Sequence, residues 1–241
     1  MINEFSRLEL LTGEDALNKI KATRVAIFGV GGVGGYVLEA LIRSGFSSFA
    51  LIDNDVVSLT NLNRQIIATH LTIGKKKTGV AKERALLINP NAKIETYEEF
   101  YLPNNKDFIS FKDFNYVVDA IDTVAGKLTI IEEAKKNNVK VISSMGCGNR
   151  FDPSKLKISD ISKTSMDPLA KVMRHELKKR GIYKCNVLFS LEKPIKPVKC
   201  SEEVSSKRSV PGSTSFVPSS AGLLIASWIF KDVTGIKEPT N

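Results

Sequence analysis

Six residues constrain the fold more than any others: Gly29-Val30-Gly31-Gly32-Val33-Gly34, a GxGxxG that closes the apolar run Val25–Val30 and opens an amphipathic stretch. Glycines are needed where a chain leaves a strand in a tight turn and its backbone must approach a phosphate, which then rests on the following helix N-terminus. The apolar run suits a strand buried on both faces of a parallel sheet. Gly32–Arg43 reads as the helix, with Val33, Val37 and Leu41 on one face and Gly45 as its stop. Phe49–Ile52 is a second buried strand, and it ends at Asp53, where a carboxylate can accept a hydrogen bond from a ribose hydroxyl. Strand, glycine loop, helix and acid together predict nucleotide binding; by themselves they leave NAD, FAD and ATP open.

The alternation continues. Leu8–Ile20 reads as short helices, with Thr12 able to cap the segment that starts at Gly13. A helix is expected over Lys75–Ile88, stopped by Asn89-Pro90, and another over Val124–Asn137. Strands are expected at Ile94–Glu98, Tyr116–Ile121 and Lys140–Ser143. This spacing predicts an α/β fold with an open, doubly wound sheet. Beyond residue 150 the pattern loosens. Asp167–Arg180 reads as an amphipathic helix with Leu169, Val172, Met173 and Leu177 on its apolar side and Lys171, Arg174 and Lys178 opposite. Asn186–Leu191 resembles a strand, 192–214 a mobile loop rich in Pro, Ser and Lys, and Ser219–Val233 a closing apolar helix.

Charge divides the chain in the same place. The net charge is +9, but residues 1–150 carry 19 basic and 17 acidic side chains, whereas 151–241 carry 16 and 9. Between Lys171 and Lys199 nine basic residues face only Glu176 and Glu192. Such asymmetry points to a polyanionic partner or to a solvated Lys-rich surface. No basic-then-apolar leader opens the chain, and the run Ala221–Phe230 is about half the ~20 residues that span a bilayer, so neither secretion nor membrane insertion is expected. Cys147, Cys185 and Cys200 form no CxxC, which argues against a disulfide scaffold or a four-cysteine zinc site and fits a reducing cytoplasm.

The segments after the second strand favour ATP. Asp53-Asn54-Asp55, Asn61-Leu62-Asn63-Arg64-Gln65, a lysine cluster ending at Lys77, and Asp119-Ala120-Ile121-Asp122 all fall at predicted sheet-edge positions. Cations neutralise the charge that develops during phosphoryl or nucleotidyl transfer, while a carboxylate holds Mg²⁺; hydride transfer has little use for either.

On these residues the chain resembles the ubiquitin-activating, ThiF-type adenylyltransferase superfamily. Within it, it is most similar to the tRNA threonylcarbamoyladenosine dehydratases. Further matching elements are Phe5-Ser6-Arg7, Gly74-x-x-Lys77, Ser144-Met145-Gly146, Lys163-Thr164-x-x-Asp167-Pro168-Leu169 and Ser215-Phe216-Val217-Pro218-Ser219-x-Ala221-Gly222, so the resemblance covers nearly the whole chain. It implies a Rossmann-like adenylation core over 1–150 and a basic part over 151–241 that completes the same domain. Gly29, Gly31, Gly32 and Gly34 would lie against the nucleotide, with Asp53 on the ribose and Asp55 and Gln65 nearby. Asn61, Arg64 and Lys77 would bind the phosphates, with Lys77 on the α-phosphate, and Asp122 would hold Mg²⁺. Arg7 would reach into a partner subunit's site, which implies a homodimer.

The implied reaction begins when a threonyl carboxylate attacks the α-phosphate of ATP. A urea nitrogen of the same side chain then closes a ring on the acyl-adenylate. Because nucleophile and electrophile are tethered, no enzyme thiol is required, and the three cysteines read as structural. The polyanion becomes tRNA, with Lys171, Arg174, Lys178 and Lys179, together with Arg180 and Lys184, as candidates for gripping an anticodon stem-loop. Helper proteins that transfer sulfur or electrons are compatible with this scheme. The alternative is activation of the C-terminus of a sulfur-carrier or ubiquitin-like protein; the family members that do so usually carry paired CxxC zinc ligands, which this chain lacks.

Overall fold

In the computed structural model, which describes residues 2–198 and 211–236, the apolar run before the glycine loop becomes an inner strand of a sheet. The strands are β1 (Arg24–Phe28), β2 (Ser48–Ile52), β3 (Lys93–Tyr97), β4 (Tyr116–Asp119), β5 (Lys140–Ser144), β6 (Leu156–Asp160) and β7 (Asn186–Ser190). Among the described residues their order is β3-β2-β1-β4-β5-β7-β6. Neighbours are parallel except β6, which runs antiparallel to β7 with Leu156 opposite Ser190. The winding direction reverses between β1 and β4, and there the loops leaving the two carboxyl ends diverge and open a crevice.

Alternation along each strand sorts the core into two layers. Val25 and Ile27 of β1 face a layer completed by α2 (Glu14–Lys21), α3 (Gly34–Arg43), α4 (Lys77–Ile88) and α7 (Phe216–Thr234). Ala26 and Phe28 face the layer under α5 (Val124–Lys136) and α6 (Pro168–Lys179). All four side chains are fully buried; a residue of the size of Ile27 or Phe28 contributes roughly 1.5–3 kcal/mol by leaving water. A short helix α1 (Ser6–Thr12) lies against α2. No helix of the described residues is long and apolar enough to cross a membrane.

Several expectations shift. Thr12 ends α1 instead of capping α2: its hydroxyl donates to the Leu8 carbonyl, and Gly13 stands at the α2 N-terminus. β1 stops at Phe28 and β4 at Asp119, so Gly29, Val30, Ala120 and Ile121 are freed to build loops. Strand β6 is not among the elements expected from the sequence; it is a short edge strand in which Leu156 and Ile158 pack against the core and Lys157 faces out. In α6 the buried stripe is Ala170, Met173 and Leu177, while Val172 is exposed. The closing helix begins three residues early, at Phe216. Of the expected mobile loop, 199–210, with Cys200, lies outside the described residues. Its flanks are tied down: Ile195 N–H donates to the Asn149 carbonyl at 2.8 Å, and Asn149 and Gly212 exchange two hydrogen bonds.

Candidate active site

A cleft of about 620 Å³ opens at the carboxyl ends of β1, β2 and β4. Its floor is the glycine loop, in which Gly29 and the buried Gly34, itself not part of the cleft lining, are obligatory for steric reasons. Gly29 has φ of +89°, and a Cβ there would lie 2.7 Å from the Ala120 carbonyl oxygen. A Cβ on Gly34 would lie 1.8 Å from the Gly29 carbonyl oxygen, so the loop folds onto itself without room for a methyl group. Gly31 and Gly32 line the cleft beside them.

Asp53, at the end of β2, braces this floor. Its Oδ2 accepts the Val30 N–H at 2.7 Å and its Oδ1 accepts the Asp55 N–H at 2.9 Å. Burial pushes the Asp53 carboxyl above its ordinary value, opposed chiefly by the nearby Lys77 charge. Lys77 begins α4, and its side chain is 8% exposed. Its Nζ lies 2.6 Å from Asp55 Oδ2 and 4.0 Å from Asp53 Oδ1. The sequence cluster Lys75-Lys76-Lys77 therefore delivers one buried cation; Lys76 instead reaches out to Glu98.

The segment Asn61–Gln65 supplies the next wall. Asn61 Oδ1 accepts the Ser58 N–H at 3.1 Å, which fixes the short turn Leu59–Asn61. Arg64 Nη1 donates to the Thr60 carbonyl at 2.8 Å and to Asn63 Oδ1 at 3.0 Å. Gln65 is buried at 6% exposure, and its Oε1 has no hydrogen-bond partner. A buried amide oxygen left unpaired costs free energy; the other end of this amide, Nε2, is the donor that lies on the Gly31 side of the cleft wall.

The two aspartates that end β4 part company. Asp119 is fully buried; its carboxylate accepts from Lys127 Nζ at 3.1 Å on both oxygens and from the Ser143 hydroxyl at 2.5 Å. Lys127 uses its third donor on the Ser144 carbonyl at 2.6 Å. Asp122, three residues on, lines the cleft with Ile121 and Thr123. Among the described residues no three His, Cys, Asp or Glu side chains cluster as metal ligands. A single carboxylate suffices for Mg²⁺, which keeps most of its water and takes the rest of its shell from phosphates. Gly31, Gly32, Asn61, Arg64, Gln65, Lys77 and Asp122 thus share one cavity. Its amide donor, buried cation and glycine floor fit a nucleoside polyphosphate.

Other expected residues lie elsewhere. Arg7 is exposed on α1 and is not part of the cleft wall. Of the α6 cations, Arg174 donates to the Thr164 carbonyl and hydroxyl, and Lys179 pairs with Glu176 at 2.8 Å. The helix runs from Asp167, bonded to Arg150 near the cleft, down to Arg180, which pairs with Glu132 near the far end of α5. Twelve residues span about 18 Å, so Lys178 and Lys179 occupy the amino edge of the sheet, opposite the cleft; Lys171 is exposed in the second turn. Cys185 is buried, and burial raises its thiol to about 12. Cys147 does reach the cleft wall, but burial pushes its thiol up as well, which leaves it a neutral group.

Sequence reasoning missed three parts of the wall: Glu99-Phe100-Tyr101, Gly148, and the strap Pro211–Ser213. The first two follow the carboxyl ends of β3 and β5, and that position was the available signal. The strap carries no such signal; it is brought in by Asn149, whose N–H and side chain pair with Gly212, and by Asn63, which donates to the Ser213 carbonyl at 3.0 Å.

Comparison with known proteins agrees with this geometry. The family model described as ThiF family matches residues 5–241. The tRNA threonylcarbamoyladenosine dehydratase of Bacillus subtilis is 40% identical over 97% of this chain and 95% of its own length. The crystal structure of the Escherichia coli tRNA N6-threonylcarbamoyladenosine dehydratase in complex with AMP superposes with a TM-score of 0.87 at 31% identity, covering 96% of this chain and 94% of that one. Its complex with ATP gives 0.84 at 30% identity, with the same coverage. The chain belongs to the ThiF family, among the tRNA threonylcarbamoyladenosine dehydratases.

Proposed function

We propose that the protein is a homodimeric, ATP- and Mg²⁺-dependent enzyme that adenylates the threonyl carboxylate of threonylcarbamoyladenosine in tRNA and closes it into a ring. The observation that carries this reading is the convergence of a buried lysine, an arginine, an asparagine and an aspartate on one glycine-floored cleft. Lys77, Arg64 and Asn61 hold the phosphates, Asp53 the ribose, and Gln65 and the glycine amides complete the nucleotide's shell. Mg²⁺, held by Asp122, would add charge neutralisation on the phosphates. A carboxylate oxygen of the substrate attacks the α-phosphorus, the bond to pyrophosphate breaks, and the acyl-adenylate forms. A urea nitrogen then attacks the activated carbonyl, loses its proton and expels AMP, so the nucleoside loses one water overall.

For this chain's residues the work is to hold and to exclude water. Lys77 stabilises the charge that gathers on the α-phosphoryl oxygens, a kind of contact whose removal typically costs 10²–10³ in rate. Tethering supplies the rest, since ring closure within one side chain needs no covalent enzyme intermediate. That fits a cleft whose only cysteine among the described residues, Cys147, has its thiol held neutral by burial. Arg7, exposed on α1, is assigned to the site of the partner subunit in the dimer.

Incubation with tRNA bearing threonylcarbamoyladenosine and ATP should release AMP and pyrophosphate and lower the nucleoside mass by one water. Intact ATP and an unchanged nucleoside would refute the proposal.

A further inference from the structure

A second surface lies beyond the cleft wall, where the chain leaving Gly148 meets the segment that follows β7. Phe151 lies three residues after Gly148, a cleft-wall residue, and so within about 11 Å of it along the chain. Its side chain is 59% exposed, yet its backbone is held from both sides. Arg150, 3% exposed, donates to the Asp167 carboxylate at 3.0 Å and to the Glu192 carbonyl at 3.1 Å. The Glu192 carboxylate in turn accepts the N–H groups of Phe151, at 3.0 and 3.2 Å, and of Asp152, at 2.9 Å. Lys193 adjoins Glu192, and Lys196 adjoins Ile195, whose N–H donates to the Asn149 carbonyl at 2.8 Å; both lysines are exposed. Nearby acids are engaged by local donors: Glu192 by those amides, and Asp152 Oδ1 by the Ser154 N–H and hydroxyl.

An exposed aromatic on a fixed backbone, three residues from the cleft wall and with two exposed lysines on the segment that holds it, has the parts of a single-strand RNA platform. The ring offers a face to any base, the lysines take phosphates, and little entropy is lost on docking because the backbone is already ordered. Of the other exposed cations considered for this role, Lys178 and Lys179 stand at the opposite edge of the sheet. We propose that the shelf of Phe151, Lys193 and Lys196 docks the anticodon loop of the RNA substrate, with a base stacked on Phe151 and the flanking phosphates on the two lysines. The proposal rests on reading the chain as a tRNA-modifying enzyme.

The test uses the full chain, tRNA bearing threonylcarbamoyladenosine, and three readouts: Kd for the tRNA against salt, KM for the tRNA in AMP release, and Kd for ATP alone. Phe151→Ala should raise tRNA Kd and KM about ten-fold or more and leave the ATP Kd unchanged. Phe151→Tyr should restore both tRNA constants, whereas Phe151→Leu, apolar but without an aromatic face, should not. Lys193→Gln and Lys196→Gln should each flatten the log Kd–log salt slope by about 0.7. An unchanged tRNA Kd in Phe151→Ala, full recovery by leucine, or loss of ATP binding alongside tRNA binding would each overturn the shelf. So would a salt slope that responds to Lys178→Gln and Lys179→Gln but not to the shelf lysines. Wild-type protein that neither binds nor turns over this tRNA would instead overturn the functional reading, and the shelf with it.

Discussion

Replacing Lys127 by methionine keeps most of the side chain's length and removes its charge, and it isolates the ion pair beneath the cleft wall. Lys127 and Asp119 have side-chain exposures of 1% and 0%. All three ammonium donors are used, two on the Asp119 carboxylate and one on the Ser144 carbonyl. After the change Asp119 keeps only the Ser143 hydroxyl and a long contact from the Ile121 N–H at 3.4 Å. Leaving one member of a buried pair uncompensated costs about 3–5 kcal/mol. At about 2–4 °C per kcal/mol for a chain of this size, that is a fall in Tm of roughly 6–20 °C. The assay is denaturant unfolding at neutral pH, with the slope m checked for constancy so that the midpoint reports stability. The double variant Lys127→Met/Asp119→Asn removes the orphaned charge and should recover more than half of the loss. A single-variant loss below about 1 kcal/mol, the range of an exposed pair, would refute the argument, as would a double variant no better than the single one.

The other predictions concern the cleft itself. Lys77→Met should lower kcat for AMP release about 10²–10³-fold and change the KM for ATP less; a raised KM with kcat unchanged would place Lys77 in ground-state binding alone. Burial raises the Asp53 carboxyl, and Lys77 is the main influence against it, so ATP affinity should fall on acidification at a pH above the ordinary carboxylate range. In Lys77→Met that midpoint should move higher still. The sign for stability follows: the folded state keeps this proton to a higher pH than the unfolded chain, so an increment of stability present in acid is lost as pH rises through the folded value. Gly34→Ala should abolish soluble folding, because its Cβ would lie 1.8 Å from a carbonyl oxygen, whereas Gly79→Ala in α4, with nothing within 4 Å, should be neutral or stabilising in thermal unfolding. Cys147→Ser should leave AMP release unchanged; a large loss would mean that the buried thiol takes part in the chemistry.

The parts of this protein legible from sequence are those where one local rule suffices. The glycine loop, the buried strands around it and Asp53 follow from spacing and hydrophobic period, and Lys77, Asn61, Arg64 and Gln65, singled out as residue types that suit a triphosphate, do line one cleft. What resisted reading was set at long range. Lys127 looks like any helix lysine until its burial against Asp119 is seen, and Asp119 and Asp122 are indistinguishable in a row of four residues although one is walled in and the other lines the cleft. The α6 cations read as a surface because helical period says which side faces out. It says nothing about which end of the sheet a helix terminus meets, and that was decided by the parallel pairing of β7 with β5.

Burial also separates the two acids that hold Lys77. Both compensate its charge, Asp55 at 2.6 Å and Asp53 at 4.0 Å, but their side-chain exposures are 59% and 9%. On the proposed function an incoming phosphate would take a share of Lys77 from one of them. Asp55 can be handed back to water at little cost, because an exposed carboxylate keeps its hydration. Asp53 has no such route, and moving it would also strip the Val30 and Asp55 amides of their acceptor. The geometry therefore makes Asp55 the partner that yields. Asp53 remains the fixed brace that keeps the glycine loop in shape, which on the proposed function is the condition for one carboxylate to serve the floor and the ribose together.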